Sequence, residues 1–280
     1  MLKVAITGST GLVGSRIQEL LYHKFEFIPL LHAQVDITDK KQVEDFMSSL
    51  DFDIFLHLTG YTNVDGAETN QNTARQINVV GTKNVFDETK KRNKKFIYIS
   101  TDFVFDGTKP PYTEESTPHP IGVYGLTKYE GEQVVKNRGM IVRISYPYRS
   151  SFGKKTDFVR SLHRLLKEGK SLSMITDSSI TLTYIDDIAA SLSHLMTHFS
   201  PEIYHIVGGA SMSPYEAALA IAKRFDLDKK LIGKTTFREF SKGRAPRPQH
   251  SIIKSIKNNF HLMLPFEEVL QKLVIEDSRL

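Results

Sequence analysis

Tyr124 and Lys128 stand four residues apart in V-Y-G-L-T-K, and Ser100-Thr101-Asp102 closes an apolar run at 96–99 upstream of them. If Tyr124 opens a helix, this spacing puts phenol and ammonium on one face. A neighbouring ammonium favours phenolate and lowers the tyrosine pKa from its usual value of about 10. Such a tyrosine can exchange a proton with a carbonyl or alkoxide oxygen near neutral pH. The Thr101 hydroxyl could hold the same oxygen. A Tyr and a Lys one turn apart also describe a plain exposed pair, so the spacing gains its weight from the S-T-D stretch and from the N-terminus.

Elements able to position these residues begin at the first residues of the chain. Leu2–Thr7 is a short apolar run that ends in Gly8-Ser9-Thr10-Gly11-Leu12-Val13-Gly14, and a helical pattern follows through Ile17, Leu20 and Leu21. Strand, glycine loop and helix form the context in which a glycine motif binds phosphate. Glycine permits the tight turn and a close backbone approach, while the helix N-terminus offers free N–H groups and a positive dipole end. The spacing is G-x-x-G-x-x-G, not G-x-G-x-x-G, and a simple strand-to-helix turn is the alternative. Gly11 is expected where the backbone approaches a pyrophosphate.

Phe25–Leu30 reads as a second strand, whose end, Leu31-His32-Ala33, carries no carboxylate for an adenosine ribose. Gln34-Val35 looks like a short third strand, which would place Asp36 and Ile37 by an adenine; Asp36 and Thr38 could equally cap a helix over 40–50. The missing acid leaves room for a 2′-phosphate, although no arginine marks the position. A fourth strand at 54–58 runs into Thr59-Gly60-Tyr61-Thr62, and a long helix over 71–92 contains Asn78 and Gly81. Beyond the Tyr124 helix come a strand at 140–145, the aromatic and basic loop from Tyr146 to Lys155, a helix over 157–167 and a strand at 172–175. A helix over 185–196, a strand at 203–207, a helix over 214–225 capped by Ser213, and a last helix over 265–274 complete the pattern. Arg244 and Arg247 flank the Ala-Pro of Gly243-Arg244-Ala245-Pro246-Arg247-Pro248. This irregular segment suits diphosphate recognition, or equally a surface linker.

Composition bounds the function. The chain has 280 residues, 40% hydrophobic and 25% charged, with net charge +5 and pI about 9.1. This is an ordinary mildly basic globular composition that suits an anionic ligand. Cysteine is absent, which excludes disulfides, thiolate metal sites and a cysteine nucleophile and fits a reducing cytoplasm. No run of 18 apolar residues marks a membrane span, and the immediate strand pattern leaves no room for a signal peptide. The cluster Lys90-Lys91-Arg92-Asn93-Lys94-Lys95 has no interleaved aromatics and reads as a solvated helix end, not a nucleic-acid patch. His194 and His198 are spaced i, i+4 without the acid of H-E-x-x-H; His32, His57, His205 and His261 are isolated, so no metal site is expected.

Alternating strands and helices over the first 150 residues argue a doubly wound parallel sheet. Gly8-x-x-Gly11-x-x-Gly14, Ser100-Thr101-Asp102 and Tyr124-x-x-x-Lys128, in this order, resemble the extended short-chain dehydrogenase/reductases. I-S-T-D-F-V-F-D-G-T-K-P-P-Y-T-E, V-Y-G-L-T-K-Y-E-G-E and R-P-Q-H-S are similar to the dTDP-4-dehydrorhamnose reductase group, which also includes the regulatory beta subunit of methionine adenosyltransferase. The resemblance implies an α/β Rossmann-type fold with an NAD(P)-binding domain over 1–150, to which later segments return, and a smaller, mainly substrate-binding region over 151–280. It implies NADP(H), ahead of NAD(H), on Gly8, Thr10, Gly11, Leu12, Val13 and Gly14. Further cofactor contacts come from Asp36, Ile37, Thr59, Gly60, Tyr61, Asn78, Ser100, Tyr124 and Lys128. Thr101, Tyr124 and Lys128 are the implied catalytic set. Thr101, Asp102, Tyr146, Arg244 and Arg247 face the substrate, a nucleotide-linked 4-keto-6-deoxy sugar. Tyr146 stands where the family commonly has a tryptophan, and of D-Q-x-G-x-P-T only the ends survive in the stretch from Asp177 to Thr183. Expected partners are the nucleotide-sugar, with neither nucleic acid nor membrane; a homodimer is compatible with the same reading. A non-catalytic cofactor-binding regulatory subunit is the alternative of a different class, and an epimerase or dehydratase is a third.

Overall fold

The computed structural model describes residues 1–150 and 155–275. Five apolar runs form the parallel strands β1 (Leu2–Thr7), β2 (Phe25–Leu30), β3 (Ile54–His57), β4 (Lys95–Thr101) and β5 (Met140–Ile144). A short pair, β6 (Pro147–Tyr148) with β8 (Thr183–Tyr184), and a second pair, β7 (Leu172–Ile175) with β10 (Ile232–Thr235), lie outside the main sheet. The remaining strand, β9 (Ile203–His205), joins β5, so the main sheet has the order β2-β1-β3-β4-β5-β9. Strand β3 and the middle of β4 and β5 are buried throughout, as strands covered on both faces must be.

Helices cover the two faces because their apolar residues recur every three or four positions. On one face α1 (Leu12–Leu21) buries Ile17 and Leu21 against Ile188, Ala189 and Leu192 of a later helix, Ile185–Thr197. Arg16 clamps the pair by donating to both carboxylate oxygens of Asp186, at 2.8 and 2.7 Å. On the other face α2 (Lys40–Ser48) and the long helical run from Gln71 to Lys91 pack over Phe55, Phe96 and Tyr98. A separate core around Tyr148, Leu162, Ala218, Ile221 and Phe266 holds the C-terminal lobe. There Ser213 caps Pro214–Arg224 in a capping box with Glu216.

Two local expectations need correction. Gln34-Val35 is not a strand: the N–H groups of Gln34 and Val35 both donate to the Leu31 carbonyl, at 2.9 and 3.1 Å, which makes a turn. Two apolar-flanked residues are too short a signal to separate these outcomes, and the strand at 54–58 is therefore the third in chain order. Nor does Asp36 or Thr38 cap α2; Asp39 does so, accepting from Lys41 and Gln42 N–H. The expected helix over 71–92 is continuous, but its middle, Gln76–Gly81, is wound as a π-helix. At its end Lys91 and Arg92 ion-pair with Glu88, the solvated termination expected of that cationic run.

Outside the site the buried hydroxyls of Tyr148, Ser178 and Ser241 have no hydrogen-bond partner among the described residues, whereas the buried charges around Arg143 are well partnered. Arg143, 1% exposed, donates to both Glu132 oxygens at 2.8 and 2.7 Å and lies 3.3 Å from His205 Nε2. His205 Nδ1 donates to the Lys254 carbonyl at 2.8 Å, which fixes the neutral tautomer, and burial depresses its pKa to about 4. Several other histidines are likewise engaged. His57 bridges Thr7 and Thr82, His261 reaches Asp187, and His194 stacks between His198 and Phe260.

Candidate active site

The carboxyl ends of β1, β3, β4 and β5 open into one cavity of about 530 Å³. That is where an open parallel sheet binds ligands, beside the point at which strand order reverses. Its floor is the loop after β1. Gly8 sits at φ +70°, a region that disfavours side chains, and a Cβ at Gly14 would lie 2.3 Å from the Gly8 carbonyl oxygen. Gly11 is the N-cap of α1, and its N–H donates to the Gly8 carbonyl at 2.9 Å. Thr10, Leu12 and Val13 line the same floor. A backbone cradle that side chains would fill, at a helix N-terminus, suits the diphosphate of a dinucleotide.

After β3 the chain turns through Thr59 and Gly60, which also line the cavity. Tyr61 and Asn78 lie behind that wall. Asn78 is fully buried; its Oδ1 accepts from Tyr61 N–H at 2.7 Å and its Nδ2 donates to Thr127 Oγ1 at 2.9 Å. It therefore braces the wall against the Tyr124 helix. Asp36 and Ile37 are also set apart from this cavity. Asp36 accepts from Thr38 N–H and Oγ1, while Ile37 is buried against the Gly81 position.

Helix Val123–Val135 brings Tyr124 and Lys128 to the cavity opposite the glycine loop, next to Ser100, Thr101 and Asp102. The expected spacing on one face holds, but the expected pKa effect does not. Burial, then the Asp102 charge, push the Tyr124 phenol up to about 12 against the opposing hydrogen bond from Thr101. Lys128 Nζ donates to the Ile99 carbonyl at 2.7 Å and sits over the Tyr98 ring at 4.1 Å. Lys128 is only 4% exposed, and burial lowers its pKa to about 7, with Glu132 opposing. Ser100 Oγ is buried without a hydrogen-bond partner, so a ligand in the cavity would meet an unsatisfied hydroxyl.

Tyr146 lines the cavity from the end of β5 at φ +38°, an uncommon backbone position for a tyrosine, with its ring edge-to-face on Phe158. Of the two arginines, Arg247 reaches the cavity and Arg244 does not. Both pair with Asp65, Arg247 in a very short contact and Arg244 at 3.7 Å, and both lie over the Phe240 ring. Asp65, Thr62, Phe103 and Lys155 are not among the site residues expected from the sequence, although Thr62 and Lys155 lie in loops it singled out. Phe103 follows S-T-D directly and packs edge-on to Tyr124 at 5.4 Å, a placement its neighbours in sequence suggest in hindsight. Nothing local marks Asp65. Among the described residues there is no group of three or more His, Cys, Asp or Glu placed to hold a metal, and no helix is long and apolar enough to cross a membrane.

Sheet, glycine loop and the Thr-Tyr-Lys set together define a Rossmann-type protein of the short-chain dehydrogenase/reductase kind. The family model described as RmlD substrate binding domain matches residues 2–278, and the chain belongs to that family. It is 31% identical over 233 residues to a dTDP-4-dehydrorhamnose reductase of Aggregatibacter actinomycetemcomitans, covering 79% of this chain and 78% of that one. It is 30% identical over 242 residues to methionine adenosyltransferase 2 subunit beta of Rattus norvegicus, covering 80% of this chain and 72% of that one. Among solved structures, dTDP-4-dehydrorhamnose reductase of Bacillus anthracis in complex with NADP superposes with TM-score 0.90 at 32% identity, over 97% of this chain and 98% of that one.

Proposed function

We propose that this chain is an NADP(H)-dependent oxidoreductase that reduces the 4-keto group of a nucleotide-linked 4-keto-6-deoxy sugar, in the manner of a dTDP-4-dehydrorhamnose reductase. The observation that carries the reading is the meeting of the glycine cradle with Thr101, Tyr124 and Lys128 in one cavity. The reductase relatives, one of them solved with NADP, support it. When bound, the dinucleotide supplies the hydride that the keto carbon takes up.

The protein's own residues do the rest. Backbone N–H groups at the start of α1 (Leu12–Leu21) hold the diphosphate, and Thr59 and Gly60 form the wall beside it. Lys128 presents its donors to the cofactor ribose. Tyr124 Oη, which stays protonated at neutral pH, delivers its proton to the alkoxide oxygen of the sugar, and Thr101 holds that oxygen in place. Residues 1–150 carry the cofactor, and the lobe built on the separate C-terminal core grips the nucleotide-sugar. Tyr146, which follows β5 and packs on that core, and Arg247 reach the cavity on this side. The same reading puts the activity in the cytoplasm, with which a cysteine-free chain is consistent.

Tyr146 supplies an early check. If its ring packs on the sugar or base, the contact is worth roughly 1 kcal/mol or more, so Tyr146→Ala raises KM by about fivefold to tenfold while NADPH affinity stays nearly constant. Equal losses of both would make it a nicotinamide or core residue. The reading as a whole is tested by following NADPH oxidation against a panel of 4-keto nucleotide-sugars. Turnover of one or more supports it. Tight cofactor binding without turnover of any favours the second reading, a regulatory subunit, which the likeness to the methionine adenosyltransferase beta subunit supports.

A further inference from the structure

The segment that brings Arg247 to the cavity is pinned by a carboxylate that the mechanism above leaves without a task. Asp65 lies on the short helix Val64–Thr69, just beyond the Thr59-Gly60 wall. Its Oδ1 accepts from Ala245 N–H at 2.9 Å and from Arg247 Nη2 in a very short contact, and Arg244 Nη1 lies 3.7 Å from its Oδ2. One side chain thus gathers a backbone N–H and two guanidinium groups from a distant part of the chain. Backbone packing fixes the rest of that segment. A Cβ at Gly122 would stand 2.5 Å from the Pro246 carbonyl oxygen, and one at Gly107 would stand 2.9 Å from the Gln249 nitrogen. Pro246 and Pro248 restrict the backbone on either side of Arg247.

This arrangement spends only part of the guanidinium. Arg247 Nε donates to the Ala245 carbonyl at 3.1 Å and Nη2 donates to Asp65, while the group lies over the Phe240 ring. Nη1 has no hydrogen-bond partner among the described residues, and Arg247 lines the cavity. The unspent N–H groups therefore form a fork of fixed direction, the geometry that suits phosphate oxygens. Glu68, one turn on from Asp65, accepts from Val123 N–H at 2.7 Å. Val123 opens the Tyr124 helix, whose N-cap, Gly122, offers no side-chain cap of its own. A single short helix therefore holds both the arginine segment and the start of the Tyr124 helix.

We propose that Asp65 is a positioning residue for substrate binding: it holds Arg247 toward the cavity for the diphosphate of the nucleotide-sugar, in a register with Tyr124 that Glu68 fixes from the same helix. The inference rests on the nucleotide-sugar reading above. A carboxylate beside this guanidinium has two opposing effects. It repels an incoming anion, but its side chain is 46% exposed, so water and salt screen the repulsion. It also removes the freedom of a long side chain before the ligand arrives, so that binding need not do so. The second effect wins because Asp65 holds the backbone at Ala245 as well, and its loss frees both the arginine and the segment on which it stands.

Calorimetric titration of the NADP⁺-loaded protein with dTDP and with UDP tests this directly. Asp65→Ala should weaken the tighter-bound nucleotide by about fivefold and Arg247→Ala by about tenfold, with NADPH affinity changing less than about twofold. Added to Arg247→Ala, Asp65→Ala should cost less than about twofold, because the two residues act as a unit. A merely structural role would cost as much in either background. In turnover, Asp65→Ala should raise KM for the nucleotide-sugar about fivefold and change kcat by less than about twofold. If Asp65→Ala does not fold, Asp65→Asn takes its place in the cycle, with an expected loss of about threefold. That variant keeps an acceptor for Ala245 N–H but drops the charge that holds the guanidinium. If wild type reduces no sugar, the reductase reading fails by itself and the binding cycle still decides this one. Unchanged or tighter nucleotide binding in the folded Asp65 variant would overturn the proposal. So would equal losses in the two backgrounds, or a wild type that binds neither nucleotide.

Discussion

Replacing Tyr124 with phenylalanine should lower kcat by at least about a hundredfold while leaving NADPH affinity nearly unchanged, because general acid catalysis typically contributes 10²–10⁴-fold. Phenylalanine keeps the ring and its edge-on contact with Phe103, so the helix Val123–Val135 and the cavity wall should survive. Only the oxygen that carries the proton is lost. Thr101 cannot replace it, since an aliphatic hydroxyl is a much weaker acid than a phenol. Neighbouring variants should behave differently. Lys128→Met should cost rate and cofactor affinity together. Thr101→Ala should cost less rate than Tyr124→Phe, because water can partly replace its hydrogen bond. With the phenol at about 12, loss of its proton should not limit the reaction in the neutral range, whereas Lys128 in the ligand-free protein gives up its proton as pH rises through about 7. Single-turnover NADPH oxidation together with fluorescence titration of the cofactor separates these outcomes.

The second large effect is expected at the glycine loop. A Cβ at Gly14 would stand 2.3 Å from the Gly8 carbonyl oxygen and 3.2 Å from Ser9 Cα. Both are backbone atoms, so the loop must move away from the N-terminus of α1. Gly14→Val should therefore break the contacts a diphosphate would make there. Charge-assisted hydrogen bonds contribute about 1.5–3 kcal/mol each, so NADPH affinity should fall by roughly tenfold to a hundredfold or more. Gly11→Val, whose Cβ would meet the same oxygen at 3.0 Å, should weaken binding in the same direction. Titration with NADPH and NADH, beside thermal melts that establish folding, is the check. Undiminished affinity in folded Gly14→Val would place the cofactor elsewhere.

Local patterns carried most of the fold. Apolar runs announced the main strands, and the cavity forms at the ends of those runs because parallel strands all point their carboxyl ends to one edge. Tyr124-x-x-x-Lys128 and the glycine spacing were legible because a helix and a turn place neighbours by short-range geometry alone. What escaped is of two kinds, weak local signals and contacts distant in sequence. Gln34-Val35 became a turn, and the π-helical Gln76–Gly81 has no composition that marks it. The direction of the Tyr124 shift escaped because sequence spacing reports the nearness of Lys128 but not the burial that pushes the phenol up. Arg244 and Arg247 looked alike; only the fold brings Arg247 to the cavity and sets Asp65 against both. Ser251 lay in the R-P-Q-H-S run, yet its partner Asp102 is 149 residues away.

The most direct measurement of the central claim is isotope transfer. The protein is incubated with NADPH bearing deuterium on the transferable nicotinamide position and with a dTDP-linked 4-keto-6-deoxy sugar, and the sugar product is analysed by mass spectrometry and NMR. A 4-hydroxy product carrying deuterium at C4, formed by wild type and at least about a hundredfold more slowly by Tyr124→Phe, is the predicted result. No labelled product from a protein that binds NADPH tightly, or label transferred equally fast by Tyr124→Phe, would contradict it.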